Sequence, residues 1–91
     1  MANVITHVPL STDHVEVDLP TGATIRGVAH DNGNIILFME YDTTEETTET
    51  RTFEVYQAQE ELNAEATVYI GTVLDSYLDR FEHVYELVAA P

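Results

Sequence analysis

Histidines and carboxylates are the residues of this chain that could do chemistry, as metal ligands or as general acids and bases. The 91 residues include four histidines and 17 acidic residues. His83 is the most suggestive, because Glu82 and Glu86 lie close to it in sequence. In a strand, however, neighbouring side chains alternate between faces, so His83 points away from both glutamates. We therefore expect His83 to be a hydrogen-bonded core histidine, and we predict no metal site. A metal ligand or general base at His83 would need partners from His7, His14 and His30.

The patterns of nucleophilic and phosphate-binding enzymes are missing from the sequence. Ser11 and Ser76 lie in turn contexts without a nucleophile elbow. The lack of cysteine excludes a thiol nucleophile, a thiolate metal site and disulfides, and the lack of lysine excludes a P-loop. A carboxylate pair for glycoside chemistry needs a cleft that a domain of this size scarcely provides. We predict that the protein is not an enzyme and has no cofactor.

Acidity is the dominant feature of the composition. The formal net charge is -14 at pH 7, and the chain has three arginines and no lysine. Such a chain repels phosphate backbones and anionic membranes and is attracted to basic protein surfaces. We therefore expect a partner protein with a basic surface and no direct binding to nucleic acid or membrane. A compositional origin, in a salt-adapted organism or a GC-rich genome, is the alternative that the sequence leaves open.

The length predicts a single domain over residues 1–91. The N-terminus lacks the features of a signal peptide and no apolar run approaches about 18 residues, so we expect a soluble intracellular protein. Turn residues recur at intervals of roughly 8 to 12 residues, which is typical of antiparallel β folds. The pattern predicts about seven strands in a small sandwich or open barrel, with at most one short helix over residues 57–66.

Alternation of side chains predicts which strand faces are buried. Val15, Val17 and Leu19 alternate with Glu16 and Asp18, so this strand should be apolar inward and acidic outward. In the last strand the apolar face is the one that carries His83, opposite the neighbouring glutamates. The members of that face are Phe81, His83, Tyr85 and Leu87.

The segment 34–41 is apolar on both faces and follows an Asp-Asn-Gly sequence at 31–33, which predicts a hairpin turn. A strand with one wet face would alternate, so something must cover the second face. We predict a homodimer or higher oligomer, with self-association through Ile35, Leu37 and Met39. Residues 42–50 contain only Asp, Glu and Thr, and we predict that they form an acidic loop.

Several segments occur in an order that covers most of the chain. They are Leu19-Pro20-Thr21-Gly22-Ala23, Tyr69-Ile70-Gly71-Thr72 and His83-Val84-Tyr85-Glu86. This ordered set resembles an uncharacterised family of small proteins encoded by tailed phages and prophages. The resemblance implies a viral origin and a small β-rich fold, and it brings no known activity.

These observations favour a small, acidic, virus-encoded and non-enzymatic module that binds a host protein in the host cytoplasm. The acidic side chains would mimic a polyanion such as nucleic acid, and exposed aromatic side chains would prolong the complex. The candidate contact residues are Glu16, Asp18, Tyr41, Glu45, Glu46, Glu49, Glu54, Tyr56, Glu60 and Glu61.

Two other functions remain open. One is a structural or decoration protein of the virion, which would pack its apolar strand face against identical copies. The other is an oligomeric sponge for a small signalling molecule, in which Arg26, Arg51 and Arg80 would converge on phosphates. Alternatively, each arginine relieves acid repulsion locally at the surface.

Overall fold

The computed structural model describes residues 2–11, 13–62, 67–75 and 78–88, and these residues form seven strands and no helix. The strands are β1 (Asn3–Leu10), β2 (His14–Pro20), β3 (Thr24–Asp31), β4 (Asn34–Asp42), β5 (Thr48–Tyr56), β6 (Thr67–Asp75) and β7 (Arg80–Leu87). All pairings are antiparallel. The predicted seven-stranded antiparallel fold is therefore confirmed. The described residues include no helix long and apolar enough to cross a membrane.

The strands form two sheets that enclose one core. The three-stranded sheet has the order β1-β4-β3, and the four-stranded sheet has the order β2-β5-β7-β6. The consecutive strands β1 and β2 thus belong to different sheets. The sheets meet where β3 lies beside β6. There Gly71 is so close to Val28 that a Cβ atom added to Gly71 would lie 2.9 Å from Val28 Cγ2. Of the two predicted architectures, the structure is the sandwich.

The core lies between the inner faces of the two sheets. The alternation predicted for β2 is observed, since Leu19 is buried while Glu16 and Asp18 are exposed. Removing apolar side chains of this size from water contributes about 1.5–3 kcal/mol each. The core cluster consists of Leu10, Leu19, Ala23, Ile35, Leu37, Met39, Phe53, Val55, Val73 and Val84.

A two-residue turn joins β3 to β4, as the sequence predicts. Asn32 and Gly33 have φ values of 50° and 84°, and Asp31 pairs with Asn34. Positive φ at both central positions defines the tight turn that matches the twist of a hairpin, and Asn and Gly tolerate it best.

The inner face of β4 differs in role from the one we predicted. Ile35, Leu37 and Met39 lie in the core, covered by the four-stranded sheet, and Leu37 has no exposed surface. They are therefore not available to a second copy in this fold. The second apolar face of β4, with Ile36 and Phe38, lies on the solvent side of the three-stranded sheet and is half-buried.

The acidic segment is shorter than the predicted loop over residues 42–50. β4 continues to Asp42 and β5 begins at Thr48, so only residues 43–47 connect these two strands. Thr44 donates to Asp42 Oδ1 from its backbone N–H at 2.9 Å, and Thr47 donates to Glu45 Oε2 from its hydroxyl at 2.7 Å. Short side chains that bond to the nearby backbone give this connection a defined conformation.

The described part of the predicted helix over residues 57–66 is a turn. Gln57 donates its backbone N–H to the Glu60 carboxylate at 2.9 Å, and Glu60 donates its own to the Gln57 carbonyl at 3.2 Å. Residues 63–66 lie outside the described residues. Helix formers alone did not make residues 57–62 helical, because short helices in water need tertiary packing.

β7 faces the opposite way from our prediction. Its inner face carries Glu82, Val84 and Glu86, and Glu82 is only 6% exposed. Phe81, on the outer side, is 59% exposed. The prediction that the glutamates would face solvent was therefore wrong, because the core accommodates carboxylates at both of its ends.

Candidate functional site

The solvent side of the four-stranded sheet gathers more of the predicted contact residues than any other described surface. Strand register places side chains of all four strands on this side. We define the outer face by His14, Glu16, Asp18, Thr52, Glu54, Tyr56, Tyr69, Thr72, Leu74, Phe81, His83 and Tyr85. Its acidic half consists of Glu16, Asp18 and Glu54, and its aromatic half consists of Tyr56, Tyr69, Phe81 and Tyr85.

Hydrogen bonds fix two of the three carboxylates of the acidic half, those of Asp18 and Glu54. Thr50 donates its hydroxyl to Asp18 Oδ1 at 2.6 Å, and Tyr56 donates its hydroxyl to Glu54 Oε1 at 2.7 Å. His14 Nδ1 lies 3.0 Å from Glu54 Oε2. The Tyr56 hydrogen bond, aided by His14 and opposed by burial, lowers the pKa of Glu54. Glu54 therefore stays ionised at the boundary between the two halves.

The aromatic half is a row of tyrosines that crosses three strands. The ring centroids of Tyr56 and Tyr85 are 5.5 Å apart, and those of Tyr69 and Tyr85 are 5.3 Å apart. Both pairs pack edge to face, an arrangement that aromatic rings favour. Tyr69 is nevertheless 55% exposed, and Leu74 and Phe81 are exposed beyond it. The result is an exposed apolar surface beside a negatively charged one.

His83 belongs to this outer face and not to the core. Its Nδ1 atom lies 2.9 Å from the hydroxyl of Thr72, which in turn lies 2.5 Å from the hydroxyl of Tyr69. The prediction of a hydrogen-bonded histidine holds, but its location in the core was wrong, because β7 presents its glutamates inward.

Four predicted contact residues meet on the outer face, and six lie elsewhere. Glu16, Asp18, Glu54 and Tyr56 are the four. Tyr41 is on β4 of the other sheet, Glu45 and Glu46 are in the connection 43–47, Glu49 is on β5, and Glu60 and Glu61 follow β5.

The connection 43–47 extends the acidic half beyond the end of its strands. Thr21, just after β2, donates its backbone N–H to the Thr47 carbonyl at 3.0 Å, so the connection adjoins the β2 end. Glu49 accepts a hydrogen bond from the Gly22 backbone at 3.0 Å. The Thr47 hydrogen bonds lower the pKa of Glu45, which therefore contributes a full negative charge.

Sequence reasoning missed three members of the aromatic half, which are Tyr69, Phe81 and Tyr85. It placed Phe81 and Tyr85 together on one face, which is correct, but assigned that face to the core. The one local signal that could have reversed the assignment is Arg80, two residues before Glu82, because an inward glutamate needs a cation or another ligand. Arg51, the partner of Glu86, is 35 residues away in the sequence.

The ion pair between Arg51 and Glu86 closes one end of the core. Arg51 donates from Nε and Nη2 to the two oxygens of Glu86 at 2.6 and 2.7 Å, and from Nη1 to the Ala23 carbonyl at 2.5 Å. The Glu86 hydrogen bonds raise the pKa of Arg51 against the opposing effect of burial. This ion pair also joins the sheets, because Ala23 immediately precedes β3.

All three arginines lie against carboxylates of the same chain. Arg26 Nη2 is 2.9 Å from Glu40 Oε1, and Arg80 Nη2 is 3.6 Å from Glu82 Oε2. Arg26 and Arg51 line one open depression of about 390 Å³, but the Arg51 donors are directed at Glu86 and Ala23. This geometry matches the local relief of acid repulsion that we gave as the alternative to a phosphate sponge.

A second polar cluster closes the other end of the core. His30 of β3, Asp75 of β6 and Glu82 of β7 place one potential ligand atom each within 4.8 Å of one another. His30 Nε2 is 3.5 Å from Asp75 Oδ1. Burial, and then the charge of Asp75, raises the pKa of Glu82. No local sequence pattern indicates this cluster, because its members come from three strands and both sheets.

The fold and its surfaces define a small, acidic, all-β domain with an outer face that is half acidic and half aromatic. The chain belongs to the DUF7352 family, a domain of unknown function, whose family model matches residues 1–91. Comparisons with curated proteins and with solved structures gave no match.

Proposed function

We propose that the protein is a non-enzymatic binding module that holds a basic protein surface on the outer face. The observation that supports this proposal best is the adjacency of the two halves, which meet where Tyr56 donates its hydroxyl to Glu54. Lys and Arg side chains of a partner would pair with the acidic half. Their aliphatic stems and neighbouring apolar groups would pack on the aromatic half.

Electrostatics would govern the formation of the complex. A net charge of -14 without a lysine gives a negative potential that steers basic partners and raises association rates by about 10- to 1,000-fold. Beyond a Debye length of about 10 Å at 0.1 M salt, this attraction is largely screened. The association rate should therefore fall steeply with salt concentration.

The aromatic half would govern the lifetime of the complex. Tyr and other large side chains supply most of the binding energy in protein interfaces when a partner excludes water from them. A guanidinium or ammonium group over a tyrosine ring adds about 0.5–2 kcal/mol. Tyr69 and Phe81 are the most exposed members and therefore the ones that a partner would cover first.

Polyanion mimicry is the form of binding that the acidic half supports. Glu16 and Asp18 are two residues apart on an edge strand, which spaces their carboxylates by about 7 Å along a straight line. Glu45, in the connection 43–47, continues the charge beyond the strand end. A regular line of negative charge on one side of a rigid sheet would compete with nucleic acid for a basic groove. If the protein is encoded by a virus, its partner would be a host protein.

The experiment is a pull-down with tagged protein from the lysate of its host at about 0.1 M salt, eluted with a salt gradient. We expect one stoichiometric partner that elutes at moderate salt and is displaced by added nucleic acid. The Glu16→Gln/Asp18→Asn variant should release it at lower salt. The matched control is Asp31→Asn/Asp79→Asn, which removes two charges outside the outer face and should behave as wild type.

The outcomes separate the proposal from its alternatives. Binding that is unchanged between about 50 and 500 mM salt would contradict the role of the acidic half. Equal effects of the two charge variants would show that net charge matters and the outer face does not. If no partner is retained and purified virions contain many copies of the protein, the virion component becomes the better proposal.

Self-association stays a prediction, now with a different candidate surface. The solvent side of the three-stranded sheet carries Ile36 and Phe38, with Ile5 of β1 64% exposed. Light scattering of the full chain at micromolar concentration tests the predicted dimer, and a monomer would contradict it.

A further inference from the structure

The two ends of the core carry similar acidic charge but differ in how it is compensated. At one end, the Glu86 carboxylate is bound at both oxygens by Arg51. At the other end, Asp75 and Glu82 lie together, each with a side chain only 8% exposed. A pair of buried carboxylates is costly unless cations or hydrogen bonds compensate it.

Glu82 is the less compensated of these two carboxylates. Within the described part of the chain it accepts no hydrogen bond, and its nearest cation, Arg80, is 3.6 Å away with a side chain that is 41% exposed. Its carboxylate lies beside those groups of Asp75 and His30 that could also hold an ion, since one ligand atom of each residue is within 4.8 Å of the others. A further positive charge at this position would offset the cost of burying the carboxylate.

The spacing of the donor atoms suits a small ion. His30 Nε2 and Asp75 Oδ1 are 3.5 Å apart, which is too long for a good hydrogen bond. Two ligands of one tetrahedral ion with bonds of about 2.05 Å are separated by about 3.4 Å. The observed distance therefore fits two ligands of one ion, and Asp75 Oδ1 is held in position by the Leu78 backbone N–H, from which it accepts a hydrogen bond at 3.2 Å.

The surroundings add charge and access. Asp13 joins Asp75 and Glu82 in the wall of an open depression of about 190 Å³. This depression is large enough for water molecules and gives an ion a path to Asp75 and Glu82, whereas His30 is not among its lining residues. Arg80 lines the same depression, so three carboxylates face one guanidinium and the local charge remains negative.

We propose that His30, Asp75 and Glu82 bind one divalent transition-metal ion of the Zn²⁺ type, with an open position towards the depression. One imidazole and two carboxylates suit Zn²⁺ and similar ions, whereas Ca²⁺ and Mg²⁺ prefer oxygen ligands alone. The ion joins β3 of the three-stranded sheet to β6 and β7 of the other sheet. The ion compensates the buried carboxylates at this end of the core, as Arg51 compensates Glu86 at the opposite end.

The test uses the full chain, stripped with a chelator and titrated with zinc chloride at pH 7 by calorimetry and thermal unfolding. We expect one Zn²⁺ per chain and a melting temperature that rises with the zinc concentration above the dissociation constant. Calcium chloride should give a much smaller rise. Co²⁺ should give the visible absorption bands of a tetrahedral site.

Substitutions of the ligands identify the site. His30→Gln, Asp75→Asn and Glu82→Gln should each weaken Zn²⁺ binding by at least about 10- to 100-fold, the loss that follows even from removal of an outer-shell partner. Glu82→Gln keeps the shape and removes a charge beside Asp75, so the metal-free variant should melt at or above the wild-type temperature. The melting temperature of the metal-free Glu82→Gln variant therefore separates loss of metal binding from loss of folding.

The matched control is His14→Gln, because His14 and Glu54 form a histidine–carboxylate pair on the outer face at 3.0 Å. We expect this variant to bind Zn²⁺ as wild type does. Absence of 1:1 binding to the wild-type chain would overturn the proposal. Binding that survives Asp75→Asn and Glu82→Gln, or a Ca²⁺ response equal to that of Zn²⁺ in the wild-type chain, would overturn it too.

Discussion

Arg51 on β5 holds Glu86 on β7 through two parallel hydrogen bonds of 2.6 and 2.7 Å on the inner side of the four-stranded sheet. The same guanidinium reaches the Ala23 carbonyl beside the other sheet. A bidentate contact of this kind has fixed geometry and strong charge-assisted bonds. It explains how β7 can present glutamates inward and aromatic side chains to solvent.

We predict that Arg51→Met lowers the free energy of unfolding by about 2–4 kcal/mol, because Glu86 would remain part-buried without its cation. Glu86→Gln in the Arg51→Met background should recover much of the loss. Urea unfolding of the single and double variants measures the coupling. Arg26→Met is the matched control, since its pair with Glu40 is more exposed and should contribute much less to stability. Equal losses for Arg51→Met and Arg26→Met would contradict the inter-sheet role.

The two faces of β4 should differ in their contributions to stability. Leu37→Ala removes a fully buried side chain and should cost about 2–5 kcal/mol. Ile36→Ala, on the half-buried solvent side, should cost about 1 kcal/mol. Denaturant unfolding of both variants at one protein concentration compares them. A larger loss for Ile36→Ala would mean that the faces of β4 are reversed or that Ile36 is covered by another chain.

The contact between β3 and β6 should not tolerate a side chain at position 71. Gly71→Ala places a methyl group 2.9 Å from the stiff Val28 side chain, so we expect a loss of about 1–3 kcal/mol. Val28→Ala should relieve part of it, and the double variant should be more stable than the sum of the single losses implies. Gly27→Ala is the control, because nothing lies within 4 Å of its added Cβ. Additive losses in the double variant would show that Val28 is not what excludes the methyl group.

The Tyr56–Glu54 hydrogen bond should make stability depend on pH. The folded pKa of Glu54 lies below its ordinary value of 4.5, so the contribution is present above that value and is lost as pH falls through the folded pKa. Tyr56→Phe should therefore cost about 1 kcal/mol near pH 7 and progressively less below about pH 4. Unfolding of both proteins between pH 3 and pH 7 measures this. A difference that stays constant over that range would assign the loss to packing instead.

Much of the fold is present in local sequence patterns. The alternation of Val15 to Leu19 and the turn at Asn32 and Gly33 depend on a few adjacent residues, and both predictions agree with the structure. Local patterns do not specify which distant strands pair. β1 pairs with β4 and β2 with β5, and neither partnership follows from the order of the segments.

The candidate site was harder to predict because it depends on which side of β7 faces the core. A glutamate in a strand normally indicates the solvent side. Here Glu86 is held by Arg51, and Glu82 lies with His30 and Asp75, so polar contacts between distant strands reverse the usual preference. The irregular pairing between Tyr69 and Gly71 on β6 adds a shift that alternation alone does not reveal.

The distribution of β1 and β2 over two sheets has a consequence for the order of folding. Asn3 pairs with Asp42 and His14 with Glu54, so each of these strands must wait for a partner about 40 residues further along the chain. The β3–β4 and β6–β7 hairpins can close early, within about 1–10 μs. β1 and β2 then join as edge strands, late and over long loops, which is the regime of slow, millisecond-to-second β folding. A ribosome-bound chain would therefore leave its first 20 residues unpaired until β4 and β5 have emerged.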